Sequence, residues 1–215
     1  MAVTPTNPHD EYFRQVLGEP ANAASQLRTL LPEAVVAQLD WDRLELTTSS
    51  FISAELCSSY SDLLFRTSVD GHDAFIYILV GHQSCSDRMM PLRMLGYVAR
   101  IWTDHVGENP GTRRLPVVIP VLVHSNHNSV AWSAPTELAD LYDADPSTLQ
   151  TLGPYLPRFH FFLDDIAGSD AEALRTRQLT PPVRLMLHLH KIGPKFTAID
   201  FAAMADRSAS KPRMR

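Results

Sequence analysis

Short, almost unbroken apolar runs in the middle of the chain predict the strands of a central sheet. Residues 74–80 are all apolar, β-branched or aromatic, which is typical of a strand covered on both faces. Residues 115–124 form a second such run, and Pro120 within it predicts an edge strand or a bulge, because proline donates no hydrogen bond. The segment 62–69 is followed by Asp70-Gly71, a strong hairpin signal. Further extended segments are predicted at 43–51 and 159–163.

Segments whose apolar residues are three and four positions apart predict helices on both sides of these runs. Leu92, Leu95 and Trp102 have this spacing within residues 89–102. Further helices are predicted at 9–17, 21–31, from Pro32 onward, near 136–142, at 169–177 and at 182–191. The order of helices, a hairpin, a helix, a strand and more helices predicts an α/β fold, with a mixed sheet flanked by helices.

The two ends of the chain differ in composition from its middle, which predicts four parts. Residues 1–8 are polar and proline-rich, and we expect them to be disordered. Residues 9–166 form the predicted main domain and residues 167–206 a C-terminal helical extension. Residues 207–215 form a basic tail.

Composition and charge favour a soluble globular protein and argue against a protein that coats DNA non-specifically. The 215 residues are 45% hydrophobic and carry a net charge of −5. Two cysteines, Cys57 and Cys85, form neither a disulfide framework nor a zinc-binding spacing. The N-terminus does not resemble a signal peptide, and no apolar run approaches the ~18 residues that span a bilayer. We therefore expect a cytoplasmic protein without a membrane segment.

The hairpin contains the residues that are the clearest candidates for a chemical role. Asp62 begins its first strand, and Gly81 and Gln83 follow the apolar part of its second strand. Residues i and i+2 of a strand share a face, so Asp62 and Gln83 are expected to meet if their strands pair in that register. Mg²⁺ prefers oxygen ligands and keeps several waters, so few protein ligands suffice. The alternative is that Asp62 and Gln83 are ordinary turn and edge residues.

Nine histidines also raise the question of a zinc site. His124 and His127, three residues apart in a predicted loop, are the best-spaced pair. No acid or cysteine stands at ligand spacing beside them, so the sequence does not predict zinc binding.

Five motifs occur in a fixed order along the chain. They are His9-Asp10-x-x-Phe13, Ser61-Asp62-Leu63-Leu64-Phe65, Gly81-His82-Gln83-Ser84, Met90-Pro91-Leu92-Arg93-Met94-Leu95-Gly96-Tyr97 and Leu115-Pro116-Val117-Val118-Ile119-Pro120-Val121-Leu122. Together these motifs resemble a known family, the Rpn recombination-promoting nucleases, also described as transposases. The resemblance covers roughly residues 8–166 and implies a restriction-endonuclease-like PD-(D/E)xK fold for the main domain. It also implies cleavage of DNA that depends on Mg²⁺ or Mn²⁺.

The family pattern is an Asp on one strand and Glu-x-Gln on the next, and this chain departs from it at one position. Asp62 matches the Asp and Gln83 the Gln, which makes both catalytic candidates, with Asp62 a metal ligand. The Glu position is Gly81, so one acidic ligand is missing. The backbone carbonyl of His82 is a further candidate ligand, and Glu55 or Glu11 are candidates to replace the missing acid.

Two arginines are candidates for contacts with DNA. Arg93 matches an arginine of the family, and its planar guanidinium suits phosphate. Arg100, seven residues later, is a supporting candidate. A homo-oligomer stays an open possibility.

The sequence leaves three functions in competition. The first is a metal-dependent DNA endonuclease, weakened or inactivated by Gly81. The second is a DNA-binding or regulatory protein on the same fold without catalysis. The third is a protein–protein interaction module in a mobile-element or defence context.

Overall fold

A computed structural model of the chain shows a five-stranded mixed sheet with helices packed on both of its faces. It describes residues 8–47, 60–82, 86–126 and 129–192. The strands are β1 (Glu45–Leu46), β2 (Tyr60–Val69), β3 (His72–His82), β4 (Val117–Ser125) and β5 (Phe162–Asp165). The α-helices are α1 (Pro8–Leu17), α2 (Pro20–Leu30), α3 (Glu33–Gln38), α4 (Met90–Glu108), α5 (Pro146–Leu152), α6 (Ala171–Thr176) and α7 (Pro181–Ile192). Short 3₁₀ helices occupy Trp41–Arg43, Leu138–Leu141 and Gly153–Tyr155. The predicted α/β fold is confirmed.

The strands lie side by side in chain order, with β3 in the centre of the sheet. β1, β2 and β3 are antiparallel neighbours, whereas β3, β4 and β5 run parallel. A parallel connection needs a long crossover, and α4 supplies the one between β3 and β4. The carboxyl ends of β3, β4 and β5 therefore meet at one edge of the sheet, next to the start of β2.

The hairpin between β2 and β3 forms as its turn residues predict. Val69 pairs with His72, so Asp70 and Gly71 are the two turn residues. Both have positive φ angles, 50° and 78°, which the tight hairpin turn requires. Glycine adopts this conformation without steric cost and aspartate tolerates it, so the Asp-Gly pair fixes the register of the whole hairpin.

The sheet separates two hydrophobic layers. On one face, α1, α2 and α7 pack on the side chains of Ile76, Ile78 and Val80. On the other face, α4 packs through Met90, Met94, Tyr97 and Ile101. This alternation along β3 explains its continuous apolar run, because both faces of the strand are covered.

β4 differs from its prediction. Pro120 led us to expect an edge strand or a bulge, yet β4 lies between β3 and β5 and pairs with β3 without interruption from Val117 to Ser125. β5 pairs with β4 only from Val121 onward, so Pro120 precedes the part of β4 that is paired on both sides. The proline is accommodated because it stands outside that doubly paired section.

Other elements are found close to their predicted positions, with shifted boundaries. α4 continues to Glu108, six residues beyond its predicted end, and β5 begins three residues later than predicted. The helix expected near 136–142 is the 3₁₀ helix Leu138–Leu141. Residues 1–7 and 193–215, which include the predicted basic tail, lie outside the described residues, and so does part of the extended segment predicted at 43–51.

The ends of β5 and the C-terminal helices are joined by a buried polar network. The Asp164 side chain is fully buried, and Nη1 of Arg177 lies 2.9 and 3.0 Å from its two carboxylate oxygens. Nε2 of Gln26, from α2, donates to Oδ2 of the same carboxylate over 2.8 Å. A second group links α2 to the start of α7, since Thr180 donates to Oδ1 of Asn22 over 2.7 Å. These contacts attach α6 and α7 to the core.

No helix within the described ranges is long and apolar enough to cross a membrane.

Candidate functional site

The register of the hairpin places Asp62 and position 81 on the same face of the sheet. Asp62 pairs with Leu79, and Gly81 is two residues further along β3. Because alternate residues of a strand share a face, Asp62, Leu79 and Gly81 all face α4. Leu79 confirms this orientation, since it packs in the same hydrophobic cluster as Met90 and Met94 of α4.

A row of residues continues from Gly81 across the sheet. Gly81 is registered with His124 of β4, and His124 with Asp165 of β5. The row lies at the carboxyl ends of the three parallel strands, where open α/β sheets place their ligand sites. Gly81 pairs with Tyr60, and Asp62 lies two residues further into β2. Asp62 is therefore the diagonal neighbour of Gly81 at this edge.

Asp62 is a buried carboxylate with little direct support. Its residue is 9% exposed, and its nearest hydrogen-bond donor among the described side chains is the hydroxyl of Tyr77, 3.5 Å from Oδ2. Burial raises the pKa of the Asp62 carboxyl above its ordinary value, and the positive charge of Arg14 together with this hydrogen bond offsets part of that rise. A carboxylate kept partly desolvated, with oxygens available, is suited to bind a cation.

The described residues do not complete a magnesium site around Asp62. Gly81 contributes no side-chain oxygen to the face it shares with Asp62. Across the part of the chain that the structure describes, no group of three or more His, Cys, Asp or Glu side chains converges. One carboxylate is half of the pair expected for metal-assisted cleavage, so the donor set does not fit a catalytic Mg²⁺ as it stands.

The remaining predicted ligands are not described at the side-chain level. Gln83 and Glu55 lie outside the described residues. His82 ends β3 in register with Ser125, and Glu11 lies in α1, but neither side chain is described. Arg14, one turn after Glu11, acts electrostatically on Asp62, so this part of α1 is near the site.

His124 lies within the strand predicted at 115–124, and not in the loop in which its pairing with His127 placed it. It lies in β4, is 2% exposed, and its Nε2 is 3.3 Å from the carbonyl oxygen of Val130. A carbonyl only accepts, so Nε2 carries the proton. The ring also meets the edge of Trp132 at a centroid distance of 5.1 Å. His124 therefore occupies the position next to Gly81 in this row, and Trp132 packs against its ring.

Asp165 holds the loop that forms this cover. Its Oδ2 accepts from the backbone N–H of Trp132 over 2.9 Å, and its Oδ1 accepts from the N–H of Gly168 over 3.0 Å. The next residue of the loop, Ser133, donates its N–H to the hydroxyl of Ser86 over 2.9 Å. The loop thus bridges the end of β5 and the segment before α4, and encloses the β4–β5 side of the row.

The two predicted DNA contacts lie on α4 in different environments. Nη1 of Arg93 donates to Oδ2 of Asp87 over 2.7 Å, while Oδ1 of Asp87 accepts from the N–H of Met89 over 2.8 Å. Asp87 thereby fixes Arg93 at the N-terminal end of α4. Arg100 is exposed on the same helix. Their roles toward DNA stay predictions.

Sequence reasoning assigned no place at this site to Tyr77, His124 or Asp165. The position of Tyr77 could have been predicted, because residues 77, 79 and 81 of one strand share a face. Leu79 pairs with Asp62, so Tyr77 lies on the Asp62 side. His124 and Asp165 each follow an apolar run, a pattern typical of the carboxyl end of a parallel strand. Their alignment with Gly81 depends on the register of β3 with β4 and of β4 with β5, which the sequence alone does not predict.

Comparison of the sequence with known proteins identifies a family. A family model described as "Putative transposase, YhgA-like" matches residues 7–207. No solved structure matches the chain significantly.

Individual relatives carry nuclease names. Recombination-promoting nuclease RpnA of Escherichia coli (strain K12) is 34% identical over 119 residues, 55% of this chain and 40% of RpnA. RpnD of Escherichia coli O157:H7 is 31% identical over 150 residues, 66% of this chain and 57% of RpnD. A relative named inactive, RpnE of strain K12, is 30% identical over 126 residues, 59% of this chain and 42% of RpnE. The matches thus span about half the length of these relatives.

Proposed function

Because the chain belongs to the YhgA-like transposase family, we propose that it is a nuclease-like protein that acts on DNA and whose cleavage chemistry is weakened or lost at position 81. Relatives of this family named as nucleases support the reaction class, the hydrolysis of phosphodiester bonds. DNA as substrate, Mg²⁺ or Mn²⁺ as the ion and a cytoplasmic location are parts of the same proposal, as is the division into a 9–166 domain and a C-terminal extension.

One observation carries the proposal: Asp62 and position 81 share a face of the sheet at the edge where the parallel strands end. A metal-dependent nuclease needs acidic side chains that converge on one point, since the ion must polarise both the phosphate and the attacking water. Asp62 is the acid we assign to that point. Gly81 leaves the neighbouring acidic position without a carboxylate.

The surroundings of Asp62 support a site better than a purely structural role. A structural buried aspartate is normally paired or saturated with hydrogen bonds, because burying a charge otherwise costs several kcal/mol. Among the described residues, Asp62 has a long hydrogen bond from Tyr77 and one with its own backbone, and burial raises the pKa of its carboxyl. Arg93, fixed by Asp87 at the start of α4, is the residue we assign to phosphate contact.

The second candidate function is DNA binding without cleavage. Two observations favour it: Gly81 supplies no ligand, and one relative, RpnE, is named inactive. This candidate keeps the fold and the DNA partner and removes only the chemical step.

A plasmid nicking assay in Mg²⁺ or Mn²⁺ separates these functions. The proteins are the wild-type chain, Gly81→Glu, and Gly81→Glu combined with Asp62→Ala. We expect Gly81→Glu to raise nicking at least about tenfold, because it restores the second carboxylate beside Asp62. The double variant should lose that gain.

Gly107→Glu is the matched control. Gly107 is exposed near the C-terminal end of α4, away from Arg93 and Arg100, and a side chain added there meets nothing within 4 Å. It therefore adds the same charge without adding a ligand, and nicking should stay at the wild-type level. A folded Gly81→Glu protein that remains inert would refute our placement of the site. Wild-type DNA binding that survives EDTA without any nicking would establish the second candidate.

A further inference from the structure

The charge of this chain is strongly polarised along the sequence. Residues 1–166 contain ten Lys and Arg against twenty Asp and Glu, a net charge of −10. Residues 167–215 contain nine Lys and Arg against four Asp and Glu, a net charge of +5, and all three lysines of the chain lie at or after residue 191. Such asymmetry is typical of proteins that meet a polyanion with one part of their surface. The overall charge of −5 conceals it.

Three basic side chains on the described part of this region lie close together. Arg184 and His188 are four residues apart on α7, so they share one side of the helix. Arg175 comes from the end of α6, which packs against α7. We call Arg175, Arg184 and His188 the α6–α7 basic surface. Arg177 does not belong to it, because its guanidinium binds Asp164 in the core.

The charges of this surface are poorly neutralised. Burial lowers the pKa of the half-buried His188, and the positive charges of Arg175 and Arg184 lower it further. The acid paired with Arg175 is Glu172, at 3.6 Å with both side chains largely exposed, a type of ion pair that contributes little. The positive charge of this surface therefore comes from the weakly paired Arg175 and from Arg184, which donates to the Leu179 carbonyl and forms no ion pair among the described residues.

The surface is also connected to the candidate site. α7 packs against α1, and α1 packs against β2 and β3 on its other side. The positive charge of Arg14 in α1 lowers the pKa of the Asp62 carboxyl, against the rise caused by burial. α1 thus lies between the two regions, which are on opposite faces of the sheet, since α7 packs on the side of Ile76, Ile78 and Val80 while Asp62 faces α4.

We propose that the α6–α7 basic surface binds the phosphate backbone of DNA and supplies the positive charge that the acidic main domain lacks. Arginines exposed on helices make the contacts that position a protein on a duplex without reading its sequence. The inference rests on the proposed function for its choice of partner, and assigns to the C-terminal helices the task of holding the duplex while the edge of the sheet faces it.

Fluorescence anisotropy with the full-length chain tests this surface. The probe is a fluorescein-labelled duplex of about 20 base pairs in EDTA, titrated at several salt concentrations. We expect Arg175→Gln combined with Arg184→Gln to weaken binding about tenfold at low salt. The slope of log K against log salt should fall by about two, one for each phosphate contact removed.

Arg113→Gln combined with Arg114→Gln is the matched control, because it removes the same charge from an exposed loop of the main domain. Its binding and salt slope should change much less. Equal losses in both double variants, unchanged binding in the Arg175/Arg184 variant, or no duplex binding by the wild-type chain would each overturn the proposal. Binding to phosphatidylserine vesicles in place of the duplex would overturn it in favour of a membrane partner.

His188 gives a readout that a loss of folding does not imitate. Bound phosphate should raise the pKa of the His188 imidazole in an NMR titration, because a nearby negative charge favours its protonated form. A pKa of His188 that is unchanged by saturating duplex would contradict the surface. The nicking assay separates this inference from the proposed function, because the effect of the Arg175/Arg184 variant is measured in EDTA and does not depend on cleavage. If no variant nicks DNA but the arginine pattern holds, the proposed function fails and the DNA-binding surface stands.

Discussion

Two buried aspartates on neighbouring parts of the sheet have opposite surroundings. Asp164 of β5 faces α2 and the end of α6, where Gln26 and Arg177 occupy its oxygens at 2.8 to 3.0 Å. Asp62 of β2 faces α4, with the Tyr77 hydroxyl at 3.5 Å and the charge of Arg14 nearby. Among the described residues, the first carboxylate has close partners on both oxygens, whereas the second has a long hydrogen bond from Tyr77 and one with its own backbone.

The difference distinguishes a structural charge from one that we propose to be functional. A fully buried carboxylate is tolerated when an opposite charge and hydrogen bonds replace its water, and its removal or isolation is then costly. A carboxylate without such partners destabilises the fold, so its presence calls for another explanation. For Asp62 the explanation that we propose is a ligand site at the edge of the sheet. The following four substitutions test the contrast.

The largest effect is expected for Arg177→Met. It leaves the Asp164 charge buried without its counter-ion, which should lower the free energy of unfolding by about 3–5 kcal/mol. Urea denaturation measures it. Arg175→Met, two residues earlier and exposed, is the control and should cost less than about 0.5 kcal/mol. Similar losses in the two variants would show that the Asp164 pair is not structural.

Gln26→Met should have a smaller effect. It removes the hydrogen bond to Asp164, but it also removes Oε1 of Gln26, a buried oxygen without a partner in the described structure. These effects oppose each other, and the net cost should be about 1 kcal/mol in the same denaturation experiment. Gln15→Met, exposed on α1, should be neutral. A loss as large as that of Arg177→Met would mean that the amide is the main support of Asp164.

Asp62→Asn should act in the opposite direction and stabilise the protein at neutral pH. The pKa of Asp62 is raised in the folded state, so the folded protein favours the protonated, neutral form. The charged form penalises folding above that pKa, and the penalty disappears below the unfolded pKa of about 4. The variant should gain up to about 1 kcal/mol at pH 7 and nothing at low pH.

Denaturation midpoints across pH measure this gain. A loss of stability at pH 7 with Asp62→Asn would contradict the contrast, because it would make Asp62 as structural as Asp164.

The smallest effect is expected for Arg14→Gln. Removing this exposed positive charge should raise the pKa of the Asp62 carboxyl further, as followed by carbon-13 NMR, with a stability change of only a few tenths of a kcal/mol. The pKa difference should shrink at high salt, since the charges are partly screened. Arg28→Gln, whose guanidinium stacks over Trp41 instead, should leave Asp62 unaffected.

The sequence predicted most of the fold because its strands and turn have local causes. The continuous apolar run of β3 and the Asp70-Gly71 turn were sufficient for the hairpin, and helical spacing was sufficient for α4. Pro120 misled the prediction for β4. The strand is internal, and its proline is tolerated only because β5 begins to pair one residue later, a fact of the register between distant segments.

The candidate site was less predictable for the same reason. Position 81 was placed beside Asp62 by strand alternation alone, which is a local rule. Trp132 packs against His124, and Asp165 accepts a hydrogen bond from the loop that contains Trp132. Both contacts depend on parallel pairing between β4 and β5, segments about forty residues apart. The placement of Gln83 and Glu55, which lie outside the described residues, stays a prediction.

The adjacent aspartates at the end of β5 have a consequence for how the molecule opens. Asp164 fastens the C-terminal helices on one side of the sheet, and Asp165 fastens the covering loop on the other. Fraying of this short strand would release both at once. Native-state hydrogen exchange should therefore show the N–H groups of α7 and of Trp132 opening together, as one cooperative unit.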